Sequence, residues 1–233
     1  HLLRRKITLL FLFLSSASLS FAQLELNQEM HDDKPYHFGI NLGYNQSHFS
    51  FTHAPQFLQS DSIMVVESVN NPGLNLAFLV NLRLNDHFDL RLHPLDLTFS
   101  EKAFLYHQNY EPDTAVTKKV QSITLSFPVN VAFSSDRIGN LKVYTFLGGR
   151  YDYDLASNAK ATQAEDLLKL KRSNLSAELG IGFHFYFPYF VLSPEIKLSS
   201  GLINLHSRDL DLKYSNVIDK IYSRMVTFSL TVE

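Results

Sequence analysis

Eight stretches of the chain alternate apolar and polar side chains with a period of two residues, as strands with one apolar face do. They cover residues 37–51, 73–84, 87–100, 120–133, 141–154, 174–187, 189–199 and 221–233. The clearest is 174–187, where Leu175, Ala177, Leu179, Ile181, Phe183, Phe185 and Phe187 alternate with Ser176, Glu178, Gly180, Gly182, His184 and Tyr186. In 87–100 the phase slips. Phe88, Leu90 and Leu92 are followed by Leu95, Leu97 and Phe99, with His93-Pro94 between them. Proline cannot donate to a sheet ladder, so a β-bulge is expected at the slip.

The connections alternate in length. Residues 52–72, 101–119, 155–173 and 200–220 form long links, whereas Asn85-Asp86, Ser134–Asn140 and a turn at Pro188 are short. Long loops at one end and tight turns at the other predict an all-β fold, an eight-stranded antiparallel up-and-down transmembrane β-barrel with four long extracellular loops and short periplasmic turns. A β-sandwich has no reason to sort its loops this way. The runs also exceed the usual 5–6 residues of globular strands and reach the roughly 9–11 that a tilted membrane strand needs. Tyr44, Tyr151, Tyr153, Phe187 and Tyr189 fall near strand ends, where aromatic girdles belong. Ala159–Arg172 is rich in helix formers, with Glu165 four residues before Lys169, and reads as a short helix inside the third long loop.

The start of the chain adds a destination. Arg4, Arg5 and Lys6 precede the apolar run Ile7–Leu14 and the small-residue site Ser20-Phe21-Ala22. This predicts a secretory signal peptide over residues 1–22, cut before Gln23. Residues 23–36 are polar and read as a flexible N-terminal leader, and 37–233 as the barrel domain. No later run reaches the roughly 18 apolar residues of a membrane helix, so the expected location is the bacterial outer membrane. The absence of cysteine excludes a disulfide scaffold, a thiolate metal site and a cysteine nucleophile. A formal charge of −2, more negative once Arg4, Arg5 and Lys6 are removed, argues against nucleic acid as a partner. The chain is 45% hydrophobic yet has a mean hydropathy of −0.07, so apolar residues are interleaved with polar ones and not clustered.

The face opposite the apolar one carries Arg83, Asp89, Arg91, Lys142, Arg150, Asp152, Asp154, Glu178, His184, Glu195 and Lys197. Apart from His184 the two signs balance. An eight-stranded barrel is wide enough only to be filled by its own side chains. The expectation is therefore a polar lumen network of Arg83, Arg91, Arg150, Asp152, Asp154, Glu178, Glu195 and Lys197, salt-bridged and closed to diffusion. A soluble lipocalin-like barrel would place these charges outside.

Catalytic and metal signals are weak. Asp152 and Asp154 share a strand face, but Arg150 beside them favours charge pairing. His206, Ser207 and Asp209 are the residue types of an outer-membrane hydrolase or acyltransferase, but sequence adjacency does not make a triad, whose members converge in space. The histidines show no metal-ligand spacing. Gly148-Gly149 and Gly180-x-Gly182 lie inside strands and read as close packing or curvature, not phosphate loops. No catalytic or metal residue, no cofactor and no small-molecule substrate is expected.

Several stretches carry a family resemblance. They are HFGINLGYNQSHF (37–49), PGLNLAFLVNLRL (72–84), Ser126-Phe127-Pro128 with SDRIGN (135–140), DLASN (154–158), AEDL (164–167), GIGFHFYFP (180–188), LSPEIKL (192–198) and HSRDLDLKYSNVIDKIYSR (206–224). Together, in order along nearly the whole chain after the signal peptide, they resemble the PorT family, outer-membrane β-barrels of the Bacteroidota type IX secretion system. The resemblance implies a role in exporting cargo across the outer membrane, and in gliding motility where the host glides. It implies no enzyme activity, and as partners other envelope components of that system besides outer-membrane lipid. It draws attention to two loops as candidate partner-binding surfaces. One holds Asn158, Glu165 and Asp166; the other holds His206, Arg208, Asp209, Tyr214, Asn216 and Asp219.

Overall fold

The computed structural model describes residues 25–53, 63–69, 71–108, 115–155, 171–206 and 218–233. They form nine strands: β1 (Tyr36–His53), β2 (Ile63–Val69), β3 (Asn71–Arg83), β4 (Phe88–Gln108), β5 (Ala115–Ser134), β6 (Leu141–Asp154), β7 (Ser173–Tyr186), β8 (Val191–Gly201) and β9 (Ile218–Val232). β2 and β3 are one residue apart and both pair with β4, so they make one wall in two pieces. Every pairing is antiparallel, running β3-β1-β9-β8-β7-β6-β5, and the β4–β5 pairing closes the sheet into an eight-walled barrel. Closure leaves the walls no free edge along the membrane.

The alternation locates the walls, and β6 has the expected bounds. Two long links are shorter than expected. β2 occupies part of 52–72, while β4 runs on to Gln108 and β5 starts at Ala115. Backbone pairing simply continues past the apolar belt, from Ser100↔Ser122 to His107↔Ala115. Apolar alternation reports only the lipid-facing part of a strand, so it stops before the ladder does. The expected helix at 159–172 lies outside the described residues except for Lys171 and Arg172, which are not helical.

The slip in β4 is a bulge. Leu92 pairs with Val129 and Asp96 with Ser126, so three residues of β4 oppose two of β5. The extra residue restores the phase: Phe88 and Leu95 both face out, while His93 and Asp96 are buried inside.

The outward side chains form an apolar belt of exposed Leu, Ile, Val and Phe. Tyr36, Phe38, Phe88, Phe133, Phe185 and Phe187 ring the short-turn end, and Tyr44, Phe99, Tyr151 and Tyr153 the other, as aromatic girdles do. Most of the buried inward side chains are polar, the reverse of a lipocalin-like barrel, with Leu79, Ile221 and Met225 among the apolar exceptions.

Phe49, Tyr144, Phe146 and Tyr186 are buried aromatics that depart from that inward polarity, and two glycines make room for Tyr144 and Phe146. Tyr144 and Phe146 on β6 point into the lumen and are almost wholly buried. Their cross-strand partners on β7 are Gly182 and Gly180. A Cβ at Gly180 would stand 2.3 Å from the Phe146 ring and 2.8 Å from the Ile196 carbonyl, and one at Gly182 would stand 2.3 Å from Tyr144. Gly180→Ala is therefore expected to cost about 1–3 kcal/mol by overpacking. Urea titration of the refolded barrel measures it, and an unchanged midpoint would show that the ring swings aside freely.

Candidate functional site

The lumen is divided by a layer centred on Glu195 of β8. Its carboxylate accepts from Arg91 at 2.5 Å, from the Tyr144 hydroxyl at 2.7 Å and from the Thr231 hydroxyl at 3.2 Å, and Asn41 donates to Thr231 at 2.7 Å. The Arg91 guanidinium lies 4.7 Å from the centre of the Tyr144 ring and 5.7 Å from that of Phe146. Tyr144 stacks on His184 at 4.2 Å, and His184 Nδ1 is 2.7 Å from Ser193 Oγ. Four walls thus meet across the bore: β4 through Arg91, β6 through Tyr144, β8 through Glu195 and β9 through Thr231.

A second cluster lies toward the long-loop end. Arg150 bridges Asp152 at 2.5 Å and Glu178 at 3.4 Å. Glu178 also accepts from Asn130 at 3.1 Å and Ser199 at 2.9 Å, and Asp152 accepts from Ser126 at 2.7 Å and Asn174 at 3.2 Å. A buried carboxylate is tolerated only when so many donors meet it. Buried Lys197 lies between the clusters, within electrostatic reach of Glu195, Asp96 and His93. Above the second cluster is a cavity of about 50 Å³ bordered by Thr98, Asp152, Asp154 and Arg172; below the Glu195 layer is one of about 20 Å³ bordered by Asp89, Lys142 and His184. Each holds a few waters at most.

The short-turn mouth is covered by residues 25–35, the segment whose composition suggested a free leader. Asp32 reaches into the mouth, where Tyr186 donates to it at 2.7 Å and Lys142 at 3.3 Å, with Arg137 at 3.6 Å. Burial opposes charge on Asp32, but those three partners outweigh it and hold its carboxyl below the usual carboxylate range. Arg137 stacks over the Tyr186 ring at 3.7 Å and donates to the Asn27 carbonyl. Asn27 donates to Asn140 and to the Tyr186 carbonyl, and Gln28 to the Phe187 carbonyl. His31 stacks on His37 at 4.1 Å. Burial, with His37 beside it, pushes the His31 imidazole down to about 4, so it is neutral near pH 7.

Of the expected lumen residues, Arg91, Arg150, Asp152, Glu178, Glu195 and Lys197 are buried inside. Arg83 instead sits at the short-turn mouth, bonded to the Asp32 carbonyl and to Asp86 at 2.7 Å. Asp154 borders the upper cavity and is only partly buried. Both are strand-end residues, where an inward side chain faces a mouth and not the bore. Of the loop candidates, Asn158, Glu165, Asp166, Arg208, Asp209, Tyr214 and Asn216, with Ser207, lie outside the described residues. His206 and Asp219 do meet: His206 is buried, and its Nδ1 is 3.3 Å from the Asp219 carbonyl. Leu205 donates to the Ile221 carbonyl and Asn204 accepts from the Ile221 amide, which ties the foot of that loop together. The aromatic part of the plug, Tyr144 and Phe146, is not among the ionisable residues that sequence reading singled out. Its signal was two aromatics on a polar face opposite Gly-x-Gly.

The family model described as "Outer membrane protein beta-barrel domain" matches residues 21–207. No curated protein sequence matches the chain. Among solved structures it is similar to Neisserial surface protein A, with 12% identity, 85% of this chain and 99% of that one covered, and a TM-score of 0.40. It is also similar to OprG from Pseudomonas aeruginosa, with 15% identity, 83% and 94% covered, and a TM-score of 0.45. For Ail, the attachment invasion locus protein of Yersinia pestis, the values are 12%, 85% and 98%, with a TM-score of 0.37.

Proposed function

The chain belongs to the outer membrane protein beta-barrel domain family, whose place is the bacterial outer membrane, and we propose that within that membrane it is a non-enzymatic component or assembly factor of the type IX protein secretion system. It acts in cargo export, and in gliding motility where the host glides, through protein contacts and not as a pore. The assignment to that system rests on the sequence stretches that resemble the PorT family, above all SPEIK (193–197), HSRD (206–209) and KYSNVIDK (213–220). The observation that carries the mode of action is the layer of Arg91, Tyr144 and Glu195 across the bore. A barrel filled at that level has no room for a folded cargo protein. What it offers other envelope components is its loops and its outer wall.

The test is cargo location after clean deletion in the native host, with complementation by wild type and by a variant with Arg208, Asp209, Tyr214 and Asn216 changed to Ala. Cargo is expected to accumulate in the periplasm, with wild type and not the loop variant restoring export. Cargo reaching the surface without the protein would overturn the secretion role. The remaining reading would be a general structural or adhesive small barrel, which membership of an outer membrane protein beta-barrel family suits equally well.

A further inference from the structure

The outward side chains of a barrel wall meet lipid, so a charge among them marks either the edge of the belt or a charged partner there. Among the described side chains, the outward positions of the strands carry two cations, Lys220 and Arg224, and no carboxylate. Both stand on β9 and both are exposed. Neither makes an ion pair among the described residues.

Register fixes their height. Phe228 of β9 pairs with Tyr44 of the long-loop girdle, and Arg224 is two outward positions beyond Phe228 toward the long loops. Below Arg224 the same face is apolar, with Val226 and Phe228 on β9 beside Leu198 and Ile196 on β8. Level with Arg224 in the ladder are exposed Ser200 on β8 and half-buried His48 on β1. Lys220 is four residues further up, about 13 Å along the strand and about 10 Å higher once the tilt is allowed for. Half-buried Tyr222 lies between the two cations on the same face. From the belt outward, this side of the barrel thus presents apolar wall, guanidinium with hydroxyl, aromatic ring and ammonium.

We infer that the outer wall of β8, β9 and β1 binds lipopolysaccharide of the outer leaflet, with a lipid A phosphate on Arg224 and Ser200, the sugars against Tyr222, their acidic groups on Lys220, and the acyl chains along Val226, Phe228 and Leu198. The long loops lie on the outer face of the membrane, where this lipid is found. A guanidinium offers phosphate a planar fork of donors, and an ammonium serves as a point charge for groups of less fixed geometry. A phospholipid has its phosphate at one depth and would leave Lys220 in water. A glycolipid with anionic groups on both its lipid and its sugar part spans the two depths at which the cations stand. A wall that held the lipid through bridging divalent ions would need carboxylates. This one supplies the cations itself. The inference does not depend on the secretion role.

The test is calorimetric titration of the full chain, refolded in nonionic detergent with EDTA present. The ligands are a lipopolysaccharide truncated to lipid A and its acidic inner sugars, the same glycolipid dephosphorylated, phosphatidylglycerol, and inorganic phosphate. The phosphorylated glycolipid is expected to bind at least about tenfold tighter than each of the others. Arg224→Ala is expected to weaken it about tenfold, and Lys220→Ala about fivefold. Both are exposed changes, and the gel mobility of unheated samples checks that the barrel forms. Lys34→Ala, which removes an exposed cation at the short-turn end, should have no effect. No loss in Arg224→Ala would overturn the site. Phosphatidylglycerol binding as tightly would overturn the glycolipid as occupant, and the dephosphorylated form binding as tightly would overturn recognition through phosphate. Inorganic phosphate binding as tightly would overturn the lipid and leave a free anion in its place.

Discussion

Replacing Arg91 with Met is expected to destabilise the barrel by about 3–5 kcal/mol, because it strips the cation from a buried carboxylate. Arg91 and Glu195 are each about 3% exposed, so water cannot take over. The Tyr144 and Thr231 hydroxyls would still donate to Glu195, but neither carries charge. The double variant Arg91→Met/Glu195→Gln should lose less than Arg91→Met alone. The glutamine amide keeps an acceptor for Tyr144 without an unpaired charge, and the non-additivity measures the coupling. Urea titration of barrels refolded into micelles, followed by the gel mobility of unheated samples, gives both values. Additive losses would mean that the two side chains stabilise the lumen independently and that the 2.5 Å contact contributes little.

Ile181→Arg is expected to cost about 2–4 kcal/mol in a bilayer, and Leu175→Arg about 0–1 kcal/mol, because the penalty for a lipid-facing charge depends on depth. Ile181 lies midway along the outward face of β7, whereas Leu175 lies near its long-loop end. Unfolding from vesicles of defined composition checks the pair. Equal, small effects would mean that this face meets water, which would return the molecule to the class of soluble barrels.

The walls were legible because lipid and lumen impose opposite chemistry on successive residues. β7, with six apolar residues alternating against polar ones, declares itself, and the phase slip at His93-Pro94 marks the bulge in β4. What alternation could not show is where pairing outlasts the membrane. β4 continues to Gln108 and β5 begins at Ala115 beyond the belt, where nothing requires an apolar outward residue. The lumen was legible as a charge-balanced set and not as a set of partners. That Arg91 meets Glu195, 104 residues away, follows from closure of the barrel, which brings β4 across from β8. Arg83 and Asp154 share the inward face but sit at its ends, a distinction that depends on strand height and not on parity. The segment 25–35 looked free because it is short and polar. Those same polar groups, Asp32, Asn27 and Gln28, are what the mouth residues Lys142, Arg137 and Tyr186 bind. Tyr144 and Phe146 could have been found from the glycines that face them across the β6–β7 ladder.

A bore blocked by Arg91, Tyr144, Phe146 and Glu195 should carry no steady ionic current. Planar-bilayer recording of the refolded protein in concentrated salt tests this most directly. A flat baseline is expected after insertion is confirmed by protease protection. Stepwise conductance from protein that is folded by its gel shift would mean that the layer opens, and that the protein works as a channel and not through its loops and wall.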